Sequence, residues 1–126
     1  QLRARDAMIT RFESLAPDDS VEAAAAALIR TTQHEFPVLQ EDGALAGFVT
    51  RNAIFKATVE GKSAAQAVHT IMETEVPRVG LGAGLERILE ALHKGAPAVA
   101  VCSAGGEMIG YVTRENIGEL MVLKGR

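Results

Sequence analysis

Residues 47–54 have the sequence Gly-Phe-Val-Thr-Arg-Asn-Ala-Ile, and residues 110–117 have the closely similar sequence Gly-Tyr-Val-Thr-Arg-Glu-Asn-Ile. Glycine, threonine, arginine and isoleucine all reappear at one constant shift of 63 residues. Each copy predicts a strand that runs directly into a helix, with the threonine at the junction. Because an internal repeat changes the unit that has to be interpreted, the chain is treated as one motif used twice.

The composition is that of a globular protein, since 48% of the 126 residues are hydrophobic and 23% are charged. A formal net charge of −3, one tyrosine and no tryptophan make nucleic acid a poor candidate partner. The longest apolar run, residues 23–29, is too short to span a bilayer. The single cysteine, Cys102, excludes an intrachain disulfide and indicates a reducing, intracellular setting. Its apolar neighbours predict a small buried hydrophobic residue rather than a reactive thiol.

The first copy is predicted to contain a helical connector at residues 6–9, a helix, a hairpin and a second helix. Asp19 and Glu22 have the spacing of a capping box at the start of the first helix. The predicted buried stripe of that helix is Val21, Ala24, Ala25, Leu28 and Ile29. An Asp-Gly turn predicts a hairpin of strands over residues 35–40 and 45–49, with Phe36 and Val38 inward. Thr50 is predicted to cap a helix that stops near Gly61.

The second copy is predicted to repeat this order after a connector helix at residues 63–72. A strand at 77–79, a helix at 83–94, strands at 98–102 and 108–112 and a helix at 113–123 follow. The predicted fold is therefore α/β (α+β), with two β-α-β-β-α copies over residues 1–62 and 63–126. Each copy alone is too small to bury both of its faces, so we expect them to pack sheet against sheet with pseudo-twofold symmetry.

These residues resemble a tandem pair of CBS domains, the Bateman module. The resemblance rests on a proline-bearing strand in each copy (residues 36–38 and 96–98), a glycine hairpin, and Gly-x-Val-Thr-Arg leading into a helix. It covers nearly the whole chain. Residues 32–38 and 113–120 further resemble the cytoplasmic CBS pair of bacterial site-2-type membrane zinc metalloproteases. The chain begins with Gln1 rather than methionine, which indicates a piece of a longer protein.

The resemblance implies a non-catalytic regulatory role on the cytoplasmic side of the membrane. CBS pairs commonly bind AMP, ADP, ATP or S-adenosylmethionine in two clefts between the copies, and they often associate as homodimers. No catalytic residue set, metal site or required cofactor is predicted. His34-Glu35 begins like a zinc-protease helix motif, but Val38 stands at its fifth position and Pro37 would break the helix.

Thr50 and Thr113 are the first candidate ligand-binding residues, because a capped helix start offers free amides to a phosphate. Arg51 and Arg114 follow them and are candidates for pairing with the same phosphate. The alternative is that the threonines only cap and the arginines are solvated. By match to the family, the remaining candidates are Thr10, Phe36, Pro37, Thr74, Val76, Ala96 and Pro97; ordinary packing at strand edges is the alternative for these.

The chain departs from the family at one position in each copy. Nucleotide-binding copies have an aspartate three residues after the threonine, where its carboxylate holds the ribose hydroxyls; here Ala53 and Asn116 occupy these positions. Loss of such a charge-assisted pair costs roughly 1.5–3 kcal/mol, or about one to two decades in affinity. Asn116 is expected to keep some accepting capacity, whereas Ala53 has none. Two hypotheses follow: a sensor of an adenosine-containing ligand, or a ligand-free structural module that dimerises.

Overall fold

A computed structural model describes residues 1–61 and 63–124 of the chain, which form two compact units. The first unit is Phe12–Glu75, and the second unit combines Gln1–Arg11 with the described residues from Val76 onward. Two connectors, residues 1–11 and residues 63–75, begin the two repeats. Residues 1–11 pack with the second unit, and residues 63–75 pack with the first unit. The compact units are offset from the boundaries predicted from the sequence repeat, 1–62 and 63–126.

The secondary structure follows the predicted alternation of helices and strands in most places. A 3-10 turn, Val68–Thr70, belongs to the first unit. In chain order the other elements are α1 (Ala4–Ala7), α2 (Val21–Arg30), β1 (Glu35–Leu39), β2 (Leu45–Thr50), α3 (Arg51–Val59), β3 (Arg78–Val79), α4 (Leu85–His93), β4 (Val99–Cys102), β5 (Met108–Val112) and α5 (Arg114–Lys124). The mixed α+β fold class is confirmed.

Each unit is built on an antiparallel hairpin. In the first unit β1 pairs with β2, and in the second β4 pairs with β5 while β3 adds in parallel to β4. Both hairpins carry a bulge at the same repeat position, after Val38 and after Val101. Gly43 and Gly106 adopt φ values of 86° and 90° in the turns, a conformation that glycine reaches without a steric penalty.

A connector completes each hairpin on its open side. In the first unit, Glu73 and Phe48 exchange two backbone hydrogen bonds of 2.8 and 2.9 Å. In the second unit, Ile9 and Tyr111 do the same at 2.8 and 3.1 Å. Backbone groups at the edge of a hairpin need such partners when they are buried, so each connector takes the place of a further strand.

Each unit has its own hydrophobic core beneath its helices. Phe36, Val38, Val49 and Ile54 lie at the centre of the first, and Ile88, Leu92, Val99 and Val101 at the centre of the second. The predicted inward positions Phe36 and Val38 are thus confirmed. None of the helices in residues 1–61 and 63–124 combines the length and the hydropathy needed to cross a bilayer.

Two predictions about α2 are wrong. Its N-cap is Ser20, whose hydroxyl accepts from the amide of Ala23 at 3.0 Å, while the Asp19 carboxylate accepts from the amide of Ala16. Ile29, predicted to be buried, is 86% exposed, and Ala27 is buried instead. Both residues lie at the edges of the apolar stripe, and periodicity alone does not decide which edge packs.

The predicted connector helix over residues 63–72 is also wrong, since Val68–Thr70 is its only helical part within the described residues. The carbonyls of Ala64 and Gln66 accept hydrogen bonds from the amides of Glu22 and Val21 at 3.0 and 2.8 Å. Those amides belong to the first turn of α2 and have no partner inside their own helix. The connector therefore keeps an irregular backbone because its carbonyls cap another helix.

Candidate functional site

Thr50 caps α3 as predicted. Its backbone is extended, with φ −91° and ψ 157°, and its hydroxyl accepts from the amide of Ala53 at 3.1 Å. Ala53 lies in the first turn of the helix, where its methyl group offers a ligand no polar contact. The start of α3 therefore has a capped helix end but no side-chain acceptor at residue 53.

Thr113 caps α5 through a reciprocal pair of contacts with Asn116. The amide of Asn116 donates to the Thr113 hydroxyl at 3.2 Å, while the amide and hydroxyl of Thr113 donate to Oδ1 of Asn116 at 2.5 and 3.0 Å. This is the arrangement of a capping box, with asparagine in the place usually taken by glutamate or glutamine. Thr113 is only 2% exposed, so its side chain is used inside the protein.

The amide nitrogen of Asn116 is also engaged. Nδ2 donates to the carbonyl oxygen of Ala7, the last residue of α1. An amide oxygen accepts two hydrogen bonds and an amide nitrogen donates two. Both accepting positions of Asn116 are occupied by Thr113, so one N–H is all that remains for a ligand. The expectation that Asn116 keeps accepting capacity for ribose finds no support in this geometry.

The two arginines after the capping threonines lie in different surroundings. Nη2 of Arg114 donates to the carbonyls of Leu92 and Ala96 at 3.2 and 3.4 Å, at the end of α4. A cation at the end of a helix is favoured by its carbonyls. Arg51 is exposed and its guanidinium lies 5.0 Å from the centre of the Phe55 ring. Arg114 is thus held by backbone carbonyls, whereas Arg51 has a weaker aromatic contact.

Both units contain candidate ligand-binding residues. Those in the first unit are Thr50, Arg51, Phe36, Pro37 and Thr74. Those in the second unit are Thr113, Arg114, Asn116, Pro97, Ala96, Val76 and Thr10. Thr10 and Thr74 are exposed and the proline-bearing strand residues Phe36 and Pro37 are buried. Sequence reasoning assigned Thr10 to the first copy, and the structure places it with the second unit because the N-terminal connector packs there.

A groove of about 700 Å³ lies beside Arg114 in the second unit. It is lined by Glu86, Leu89, Glu90, Leu92, His93 and Arg114. Thr113 and Asn116 do not line it, so it is distinct from the capped helix start. Within the described part of the chain, no cluster of three or more His, Cys, Asp or Glu side chains is placed to hold a metal ion.

Cys102 lies half-buried at the end of β4. Burial raises the pKa of its thiol above the ordinary value, and the charge of Arg78 acts weakly in the opposite direction. A raised pKa leaves little thiolate at neutral pH, so this environment does not activate the sulfur.

Comparison with known proteins matches part of the sequence to a family model and the fold to solved structures. Residues 4–60 match the family model of the CBS domain. The protein CBSX2, solved in complex with AMP, has a TM-score of 0.88 and 22% identity over 100% of both chains. The CBS domain pair of protein MJ0100, solved with 5′-methylthioadenosine and S-adenosyl-L-methionine, has a TM-score of 0.81 and 21% identity over 98% of both chains. A CBS domain-containing protein of Bacillus anthracis has a TM-score of 0.83 and 20% identity over 98% of this chain and 95% of its own.

A comparison with curated protein sequences gave no match. The narrower resemblance to the CBS pair of membrane zinc metalloproteases stays a prediction. At these identities the similarity of the structures concerns the fold. The chain therefore has the fold of a CBS domain pair, the Bateman module, and its residues 4–60 match the CBS domain itself.

Proposed function

We propose that the chain is a non-catalytic regulatory module that senses an adenosine-containing ligand, such as AMP, ADP, ATP or S-adenosylmethionine, with low affinity. The observation that carries this proposal is the agreement of its fold, over the full length of both chains, with a CBS protein solved in complex with AMP. The helix starts at Thr50 and Thr113 add support, because the N-terminal end of a helix carries a partial positive charge that favours a phosphate.

The low affinity follows from the groups available for ribose. Ala53 offers no hydrogen bond and the oxygen of Asn116 already accepts two from Thr113. A ligand at the start of α3 would therefore depend on its phosphate and its base, whereas the ribose of a ligand at the start of α5 would have to displace the contacts that Asn116 makes with Thr113 and Ala7. Exposed Arg51 is the better cation for the phosphate, since Arg114 would first have to leave the carbonyls of Leu92 and Ala96.

Isothermal titration calorimetry and thermal denaturation with millimolar AMP, ADP, ATP and S-adenosylmethionine test this function. We expect weak binding of at least one of them and an upward shift of Tm, because a ligand that binds only the folded state stabilises it. Arg51→Ala should weaken binding of the phosphate-bearing ligands more than Arg114→Ala does. No heat and no shift of Tm for any of the four ligands would overturn the sensor proposal.

A second candidate function is a ligand-free structural module that dimerises. It is favoured by apolar side chains exposed on the last helix of each repeat. Val59 on α3 is 86% exposed and Val122 on α5, at the same position of the repeat, is 62% exposed. Phe55, Met121 and Leu123 are exposed on the same helices. Exposed apolar side chains grouped on the corresponding helix of both copies are a feature of surfaces that bind a partner.

Sedimentation velocity over a range of concentrations tests the homodimer. The double variant V59D/V122D should shift the protein toward monomer without lowering Tm, because neither side chain contributes to a core. A wild-type protein that stays monomeric at high concentration would exclude this candidate.

We also propose that the effector is a membrane zinc metalloprotease and that the module lies on the cytoplasmic side of the membrane. The support is the resemblance of residues 32–38 and 113–120 to the CBS pair of such proteases. Ligand binding would control the protease only through different affinities for two arrangements of the module. The sequence of the full-length protein tests this proposal: several apolar segments with a zinc-ligand motif are expected, and a soluble effector would contradict it.

A further inference from the structure

The side chain of Asn116 connects two helix ends that are far apart in sequence. Its oxygen completes the cap of α5 through Thr113, and its nitrogen donates to the carbonyl of Ala7 at the end of α1, 109 positions earlier. One amide group thus satisfies free donors at the start of one helix and a free acceptor at the end of another. Only a side chain that both accepts and donates can make these contacts together.

The segment that Asn116 holds is otherwise attached mainly through its own backbone. The amides of Ala4 and Arg5 donate to the carbonyls of Ala83 and Leu81 at 2.8 and 3.0 Å, and Ile9 pairs with Tyr111. Asn116 contributes the contact from α5, midway between these two attachments. Ala4 and Ala7 are buried against the core of the second unit, so the segment has a defined docked position.

We propose that Asn116 is a positioning residue, a latch that holds residues 1–11 on the second unit, and that this task requires an amide rather than a carboxylate. An aspartate here, which the resemblance to nucleotide-binding CBS copies implies, would still accept from Thr113 and cap α5. Its carboxylate would, however, face the Ala7 carbonyl without a hydrogen to donate. Asparagine at residue 116 therefore favours docking of the N-terminal segment, whereas aspartate would favour hydrogen bonds from ribose hydroxyls.

The latch has a consequence for regulation that rests on the proposed function. A ligand whose hydroxyl groups hydrogen-bond to the Asn116 amide competes with Thr113 and Ala7 for the same atoms. Ligand occupancy and docking of residues 1–11 are then coupled negatively, because both states use one side chain. The N-terminal segment becomes the part of the module that moves when ligand binds.

Hydrogen exchange of Asn116→Asp tests the latch without any ligand. Protection factors at Met8 and Ile9 should fall at least about tenfold, which corresponds to the loss of one hydrogen bond. Protection at the start of α5 should stay unchanged, because the carboxylate still caps Thr113. Asn52→Asp is the matched control, since it adds the same charge at an exposed site in the first turn of α3 and should leave both regions unchanged.

The pH profile of Asn116→Asp separates a latch from a general loss of stability. A protonated carboxyl group donates a hydrogen bond to the Ala7 carbonyl, so protection at Met8 and Ile9, corrected for intrinsic exchange, should recover at acid pH. The charged groups on the two joined helices include Arg5 and Asp6 on α1 and Arg114 and Glu115 on α5, and wild type measured over the same pH range accounts for their titration. Unchanged protection at neutral pH, or equal loss across the second unit, would overturn the latch.

Exchange of wild type with and without saturating AMP tests the coupling. A fall in protection at Met8 and Ile9 on binding is expected. Binding detected by calorimetry with no change there overturns the coupling and leaves the sensor function standing. Absence of binding overturns the sensor function and the coupling together, and Asn116→Asp still decides the latch.

Discussion

The backbone of Glu73 passes so close to Gly47 that a Cβ on Gly47 would lie 2.4 Å from the Glu73 carbonyl oxygen. The second copy has the same relationship, since a Cβ on Gly110 would lie 2.6 Å from the carbonyl oxygen of Ile9. Both contacts lie where a connector pairs with the residue after the glycine. The glycine that begins the repeated sequence is therefore required by the close approach of a neighbouring backbone.

Gly47→Ala should consequently lower the free energy of unfolding by about 1–3 kcal/mol, because the methyl group has to displace the connector. Thermal and urea denaturation measure the change. Gly80→Ala is the matched control, since a Cβ there meets no atom within 4 Å, and it should change stability by less than about 0.5 kcal/mol. Equal stability of the two variants would contradict the packing of the connector.

Ile88→Ala and Ile29→Ala form a pair that tests which helix faces are buried. Ile88 is fully buried in the core of the second unit, so its truncation should cost about 2–5 kcal/mol. Ile29 is exposed, and its truncation should cost less than about 0.5 kcal/mol. Urea denaturation at low protein concentration measures both changes. A large decrease in the free energy of unfolding of Ile29→Ala would support the burial of Ile29 that periodicity predicts.

Ala53→Asp should raise the affinity for AMP by about one to two decades, since it returns a charge-assisted acceptor to the first copy. The substitution lies in the first turn of α3, where a negative charge is also favourable to the helix. Calorimetry measures the affinity. Asn52→Asp adds the same charge one residue earlier at an exposed site, beside Arg51, and should not raise the affinity. Equal affinities of Ala53→Asp and wild type would contradict a ribose contact at residue 53.

The Cys102 thiol should make stability depend on pH in alkaline solution. Burial raises its pKa in the folded protein, so above about pH 8.5 the unfolded chain loses this proton first. The free energy of unfolding should then fall as pH rises, whereas below that range the thiol contributes no pH dependence. Denaturation of wild type and Cys102→Ala between pH 7 and 10 measures the difference. A decline of equal slope in both proteins would show that other groups cause it.

Local patterns in the sequence predicted much of this fold. The hairpin turns at Gly43 and Gly106, the cap at Thr50 and the strand over Met108–Val112 all depend on residues close together in the chain. Such features follow from backbone preferences that a short window contains.

Features that depend on distant partners could not be predicted in this way. The connector at residues 63–72 has Ala and Ser residues suited to a helix, yet its carbonyls bind the amides of α2. The sequence alone predicts Asn116 to be a weakened ligand contact, because nothing near it in sequence indicates Ala7 as its partner. The one sequence feature that could have indicated this contact is asparagine in place of aspartate. Asparagine has side-chain N–H donors that aspartate lacks, and a buried donor needs an acceptor.

The exchange of connectors between the halves also bears on how the chain can be divided. A cut between residues 62 and 63 would separate Ile9 from Tyr111 and Glu73 from Phe48, so each fragment would carry a connector whose pairing partner is on the other. A circular permutant opened between Arg11 and Phe12, with a linker joining the original termini, would instead hold each compact unit as one continuous stretch. Duplication of the sequence motif thus produced two copies that cannot be separated at their own boundary.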